Sequence, residues 1–246
     1  MRIAEKAEAL EIPMTFLGGS GNIHPVVLWD GSDGVTLVDA GLPGQVPQIE
    51  AGLEGLGLKL RDVRRILLTH QDIDHIGSAD ALSRASGAEV SAHAADVPYI
   101  EGDRPLLKMD RSRYESRIQA LPEAQKQAVR AILESPPKVK VRHVLNGGEE
   151  LPFHGGIVVI ATPGHTPGHV SYYLKAAKLL LAGDAMRVED GSLIGPSPMA
   201  TPDMRSAVAS LRSLLSFPIE SVLCYHGGLA NRDVAARLRE LATISA

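Results

Sequence analysis

Residues 69–75 read Thr-His-Gln-Asp-Ile-Asp-His, and His70, Asp72, Asp74 and His75 can each offer a ligand atom to a metal. Imidazole nitrogens mixed with carboxylate oxygens suit zinc, manganese or iron better than calcium or magnesium, which favour all-oxygen shells. The plainer alternative is a polar turn that opens a helix, with Asp72 or Asp74 as its N-cap. The motif has echoes further along the chain. An apolar run at 156–161 leads into Thr-Pro-Gly-His165-Thr-Pro-Gly-His169, the run at 178–183 leads to Asp184, and the run at 219–225 leads to His226. Each time, a short apolar stretch is followed by a metal-capable side chain and a turn.

These residues need elements that bring them together. Residues 65–69 read as a short buried strand and 76–86 as a helix, so the dense cluster falls on a strand-to-helix turn. Strands are expected at 12–17, 23–29 and 35–39. A spacer Gly18-Gly-Ser-Gly21 between the first two is either a hairpin loop or a backbone approach to a ligand. His24 reads as a strand histidine and His93 as a rim or core residue, and both are left out of the site. Asp39 ends its strand, where it either steers a metal ligand or serves a turn. An amphipathic helix at 46–56 carries Val46, Ile49, Leu53 and Leu56 at helical spacing. A strand follows at 88–93, and the alternation indicates a layered α/β arrangement.

Residues 94–138 lose strand pattern and gain charge. Helices at 111–120 and 123–134 share an apolar stripe of Ile118, Leu121, Val129, Ile132 and Leu133, and Pro136-Pro137 ends the unit. We read this as a helical insertion in a single domain spanning 1–246. It acts either as a lid, with Tyr99, Met109 and Tyr114 as a substrate wall, or as an oligomer contact in a homodimer. Strands resume at 139–145, 156–161, 170–174, 178–183 and 219–225. Helices close the chain at 201–217, with Thr201 as N-cap, and at 231–241.

Composition narrows the class. The chain has 246 residues, a formal net charge of -4 and one cysteine, Cys224. This balance leaves no electrostatic footprint for nucleic acid or an anionic membrane. No apolar stretch approaches the ~18 residues of a membrane span, and the N-terminus does not read as a secretory signal. A single cysteine excludes an internal disulfide. The expectation is a cytoplasmic enzyme with a small-molecule substrate and no nucleic-acid or membrane partner. Cys224, two residues before His226 on a strand, is expected to face the core rather than act as a nucleophile.

The string His70-Gln-Asp72-Ile-Asp74-His75, followed by His165, Asp184 and His226, resembles the metallo-β-lactamase family, whose motif is His-x-His-x-Asp-His with a distant His, Asp and His. The Thr-Pro-Gly-His and Leu-Ala-Gly-Asp surroundings are similar as well. The resemblance implies a four-layer αββα sandwich with two mixed sheets inside. It also implies two divalent metal ions, zinc foremost. His70, Asp72 and His165 would hold the first, Asp74, His75 and His226 the second, and Asp184 would bridge them. Asp72 departs from the family pattern, which has histidine there, and its harder donor moves the first site towards iron or manganese. His169 would support the site from behind.

The chemistry implied is hydrolysis. Paired cations lower the pKa of a shared water from ~15.7 towards ~7, and it attacks a polarised carbonyl while Asp74 or Asp184 handles the proton. The resemblance is to lactonases first, with a small ester, lactone or thioester as substrate. Those enzymes carry Tyr three residues after the bridging Asp, where this chain has Arg187. Tyr172 or Tyr173 would substitute, or Arg187 would pair with a substrate carboxylate. Two alternatives are a glyoxalase-II-like thioesterase and a di-iron oxidoreductase of the flavodiiron type. Against the first, the sequence lacks that family's helical extension. The second fits the carboxylate at Asp72 but lacks its flavin domain.

Overall fold

A computed structural model describes residues 1–17, 19–109 and 111–244. The strands, in chain order, are β1 (Arg2–Ala4), β2 (Ala7–Ala9), β3 (Ile12–Phe16), β4 (Gly19–Ile23), β5 (Val26–Asp30), β6 (Gly34–Val38), β7 (Val63–Leu67), β8 (Glu89–His93), β9 (His143–Leu145), β10 (Glu150–Leu151), β11 (Ile157–Ala161), β12 (Val170–Leu174), β13 (Leu179–Gly183), β14 (Arg187–Glu189), β15 (Ser192–Ile194), β16 (Ser221–Cys224) and β17 (Gly228–Ala230). The helices are α1 (Val46–Gly55), α2 (Ile73–Ile76), α3 (Ala79–Ser86), α4 (Val97–Ile100), α5 (Arg111–Gln119), α6 (Glu123–Glu134), α7 (Met204–Leu214) and α8 (Val234–Ala242).

Two mixed sheets form the body, one in the order β1-β2-β5-β6-β7-β8-β9 and the other β10-β11-β12-β13-β16-β17. Side-chain alternation along the strands makes four layers of them. Leu67 of β7 and Leu179 and Leu181 of β13 point between the sheets, where they meet Val38, Val159, Val170 and Tyr172. Their neighbours point outward. Ile66 packs with Ile49 of α1 and Leu82 of α3. Leu180 and Ala182 pack with Leu211 of α7 and Leu238 of α8. Strands buried on both faces must read as unbroken apolar runs, and Leu-Leu-Leu-Ala-Gly of β13 does so. The αββα sandwich expected from the sequence is the fold found.

Parallel pairing aims the strand ends at one edge. β13 and β16 run parallel with Gly183 opposite Cys224, which sets Asp184 and His226 side by side just past the two strand ends. Across the sandwich, the Val170 N–H donates to the Thr69 carbonyl at 2.9 Å. That bond clamps the loop after β7 to the start of β12 and closes the two sheets at the edge where the ligand candidates gather.

Several local expectations change. β1, β2, β14, β15 and β17 were not foreseen, because three-residue strands give too short an alternation to read. The expected strand at 23–29 breaks at His24-Pro25, since proline cannot donate to the ladder, and β4 and β5 join different sheets. Of 139–145 only β9 is strand. Gly19 to Gly21 belong to β4, paired with β3 as a hairpin; Gly18 lies outside the described residues. The N-cap of α7 is Asp203, which accepts from the Ser206 N–H at 2.9 Å, and Thr201 is used elsewhere. Within 94–138, α5 and α6 fall where helices were expected at 111–120 and 123–134, and α4 was not foreseen. Ile118 and Val129 of α5 and α6 form a small cluster with Leu17 at the hairpin tip, and Tyr114 packs against it. Tyr99 and Met109 pack against the main core instead. Among the described residues, no helix is long and apolar enough to cross a membrane.

Candidate metal centre

The turn after β7 could have been an ordinary helix start. Asp72 does occupy the N-cap position of α2, but its side chain makes no cap hydrogen bond. It turns towards His70 and His165, with Oδ2 lying 3.3 Å from His70 Nε2 and 3.0 Å from His165 Nε2. Asp74 Oδ2 lies 3.2 Å from His226 Nε2 and 3.8 Å from His75 Nε2. Asp184 spans the two sets, with Oδ1 3.4 Å from His75 Nε2 and Oδ2 3.2 Å from His165 Nε2 and 3.5 Å from His226 Nε2. All seven side chains foreseen from sequence converge on one place. Their ligand atoms fall into overlapping groups, His70-Asp72-His165, Asp74-His75-His226 and His70-His75-Asp184, within 4.8 Å in each.

Hydrogen bonds at Nδ1 of His70, His75 and His165 leave the Nε2 atom of each ring facing the cluster. The Thr69 hydroxyl donates to Asp39 Oδ2 at 2.8 Å, leaving its oxygen to accept from His70 Nδ1 at 3.0 Å. His75 Nδ1 donates to Asp39 Oδ2 at 2.8 Å. Asp39 Oδ1 also accepts the Thr69 N–H at 2.8 Å, so a carboxylate at the end of β6 orients both histidines of the motif. His165 Nδ1 faces the Thr201 hydroxyl at 3.4 Å. His169 takes a different role: its Nε2 accepts the Asp184 N–H at 3.0 Å, while Nδ1 bonds Thr162. That bond needs the left-handed turn at Gly183, φ +54°, where an added Cβ would fall 2.8 Å from His169 Nε2. Tyr225 backs His75 with its ring, at 3.8 Å between centroids, and donates its hydroxyl to the Asp74 carbonyl at 2.6 Å.

Charge follows position. Burial and the neighbouring His75 hold the His70 pKa well below its ordinary value. Burial also opposes a charge on His75, but the carboxylates of Asp39, Asp74 and Asp184 outweigh it and raise the pKa well above the usual range. At His226 the same contest, with Asp184 and Asp74 on the winning side, raises the pKa to about 8. Burial pushes the Asp184 carboxyl up, yet His226, His75 and His165 hold it well below the ordinary range.

A buried polar atom without a partner costs ~1–3 kcal/mol. His70 Nε2, His75 Nε2 and Asp184 Oδ1 are all buried with no well-formed hydrogen bond, although Asp72 Oδ2 lies 3.3 Å from His70 Nε2 and His75 Nε2 lies 3.4 Å from Asp184 Oδ1. Three such atoms aimed at each other within 4.8 Å are the arrangement a divalent cation satisfies, so the donor set fits metal.

Two residues decisive for the site carry no local signal. Asp96, fully buried, accepts from the Gln71 N–H at 3.0 Å, Gln71 Nε2 at 3.0 Å, the Thr166 hydroxyl at 2.7 Å and the Gly168 N–H at 2.8 Å. It ties the loop of His70 to the loop of His165. Lys108, in the stretch between α4 and α5, donates to Asp72 Oδ2 at 2.5 Å and to His165 Nε2 at 2.7 Å. Both contacts join residues far apart in sequence, so spacing could not reveal them.

The proposed substrate residues fare differently. Tyr172 does not line the centre: it is buried between the sheets and donates its hydroxyl to the Leu68 carbonyl at 2.8 Å. Strand alternation points it inward. Tyr173 faces the other way, towards Phe217. Arg187 donates Nη1 to Glu189 Oε1 at 2.8 Å, two residues on along β14, so its charge already has a carboxylate partner. Cys224 is buried against α7 and α8, and burial pushes its thiol pKa up, which leaves no reactive thiolate. His24, left out of the site from sequence, lies beside His226, with Nδ1 on the Tyr225 carbonyl at 2.9 Å. A cavity of about 610 Å³ opens beside His226, between the β3–β4 hairpin and the turn into β17, lined in part by Met14, Asn22, His24 and Gly228.

The profile of the Metallo-beta-lactamase superfamily matches residues 18–226. The probable metallo-hydrolase YflN of Bacillus subtilis is 27% identical over 90% of this chain and 86% of its own length. A hydroxyacylglutathione hydrolase of Rhodobacter capsulatus is 30% identical over 63% of this chain and 44% of its own. Among solved structures, a metallo-beta-lactamase family protein of Thermus thermophilus superposes with a TM-score of 0.74 at 26% identity, covering 97% of this chain and 79% of that one.

Proposed function

The chain belongs to the metallo-beta-lactamase superfamily, and we propose that it is a metal-dependent hydrolase whose dinuclear site activates water to cleave a small ester, lactone or thioester. The observation that carries this is the convergence of the orphaned atoms of His70, His75 and Asp184. In this reading His70, Asp72 and His165 would hold one divalent ion, Asp74, His75 and His226 would hold the other, and Asp184 stands within reach of both groups. Ions there supply Lewis acidity and bring the pKa of water towards neutrality.

The chain's own residues do the rest. Asp39 and Thr69 fix the rings of His70 and His75, so the site is preorganised. His169 and the turn at Gly183 fix Asp184. Asp74 and Asp184 are the carboxylates at hand to take the proton from the attacking water. The cavity beside His226 holds the substrate, its volume within the ~300–1,000 Å³ usual for small-molecule pockets. The hydroxyacylglutathione hydrolase relative favours the thioester arm. Arg187 pairs with Glu189 through Nη1 and keeps its Nε without a hydrogen bond, so the substrate-carboxylate contact is not part of this reading.

The experiment is a panel of lactones, aryl esters and acyl thioesters, assayed with the purified chain loaded with zinc, manganese or iron and with Asp184→Asn as control. Hydrolysis of one class, lost in Asp184→Asn, supports the reading. No hydrolysis with any metal, together with oxygen reduction by the iron-loaded chain, would replace it with the oxidoreductase alternative.

A further inference from the structure

The two halves of the centre are not equally in need of a cation. In the first group, Asp72 Oδ2 and His165 Nε2 are both already bonded to Lys108 Nζ, at 2.5 and 2.7 Å. Of the centre's buried atoms without a hydrogen bond, His75 Nε2 and Asp184 Oδ1 lie outside the pair that Lys108 holds, and His70 Nε2 is the one such atom left in the first group; Lys108 bonds none of the three. We propose that the Lys108 ammonium is the resident cation of the first group. The chain then binds one divalent ion tightly at Asp74, His75 and His226 with Asp184, and admits a second only by displacing Lys108. This rests on the metal-dependent reading above and adds an order of loading to it.

Three further features carry it. The residue at 72 is a carboxylate, which matches an ammonium in charge; a neutral imidazole there would not. The pair is shielded, with Lys108 and Asp72 side chains only 11% and 16% exposed, and separating a shielded pair leaves an uncompensated buried charge. The stretch that delivers Lys108 is also pinned. Leu106 is buried in the core, and the Leu107 N–H donates to Gln71 Oε1 at 2.9 Å. Gln71 is in turn held by Asp96, so the lysine arrives from a backbone tied to the ligand loop itself.

The test is equilibrium dialysis of the chelator-stripped full chain against Zn²⁺, with bound metal measured by elemental analysis. The wild-type chain is expected to take one equivalent tightly and the second at least about a hundredfold more weakly. Lys108→Met, which keeps the apolar stem without the charge, is expected to bring the two within about tenfold. Two equivalents of similar affinity in the wild type overturn the proposal while leaving the hydrolase reading intact, as does a second equivalent equally weak in Lys108→Met. No zinc bound by either protein fells both. Should Lys108→Met fail to fold, the wild-type isotherm still decides. So does acylation of Lys108 followed by mass spectrometry: labelling should rise as the second equivalent enters, and unchanged labelling contradicts displacement.

Discussion

Asp39 Oδ2 accepts a hydrogen bond from His75 Nδ1 at 2.8 Å, within a knot that also takes both the N–H and the hydroxyl of Thr69. One carboxylate thus sets the tautomer of a candidate ligand and the conformation of the turn that holds the others. Asp39→Asn puts an amide where three donors meet, and its own NH₂ must face one of them. Zinc affinity is expected to fall by about 10–100-fold, read by competition with a chromophoric chelator. An unchanged affinity would show that His75 needs no such partner.

Asp96 answers four donors from two loops that carry candidate ligands and touches no candidate ligand atom itself. Asp96→Ala strands those donors in a buried place, and the metal-free chain is expected to lose about 3 kcal/mol of stability in denaturant titration. In the metal-loaded chain the loss should appear as weaker binding through His70 and His165, the histidines its two loops carry. A variant as stable as wild type would remove Asp96 from the positioning network.

His75 and His226 bind protons more tightly in the folded, metal-free chain than the ordinary imidazole does, His226 with a pKa of about 8. A protonated imidazole cannot ligate, so zinc affinity is expected to fall as pH drops below about 8, by roughly tenfold per pH unit for each proton displaced. The sign for folding is opposite. A raised folded pKa contributes stability that is full below the unfolded value, ~6.5, and is lost as pH rises through the folded value. Thermal melts from pH 6.5 to 8.5 should therefore show these histidines lowering the Tm of the metal-free chain as pH rises, while the Tm of the zinc-loaded chain rises. Parallel pH trends in the two forms would contradict the assignment of these histidines as ligands.

Tyr172 tests the boundary between site and core. Its hydroxyl satisfies the Leu68 carbonyl between the sheets, so Tyr172→Phe is expected to cost about 1–2 kcal/mol of stability and to leave kcat/KM unchanged for whichever substrate class the panel identifies. A large drop in kcat/KM with stability intact would return Tyr172 to the substrate.

The ligand candidates were legible because their signal is local. Strands such as Leu179–Gly183 must be apolar on both faces, so Asp184 stands out as the polar residue at the strand's end. Two histidines and two aspartates within residues 70–75 exceed what one helix cap uses. A layered α/β arrangement followed from the rhythm of strand and helix, and the four-layer sandwich from the family resemblance. What the sequence did not contain was direction. Tyr172 and Tyr173 are adjacent and alike in composition, and only the pleat, once the sheet's two faces were known, sent one to the inter-sheet core and the other towards Phe217. Nor did it contain the partners of the ligands. Asp39, Asp96, Thr201 and Lys108 act on residues 30 or more positions away in most of their contacts, and side chains that distant become neighbours only when two sheets close on each other. Composition and strand ends determined that histidines and carboxylates gather at one edge. Packing decided which carboxylate orients each histidine, and that a lysine bonds the first ligand group.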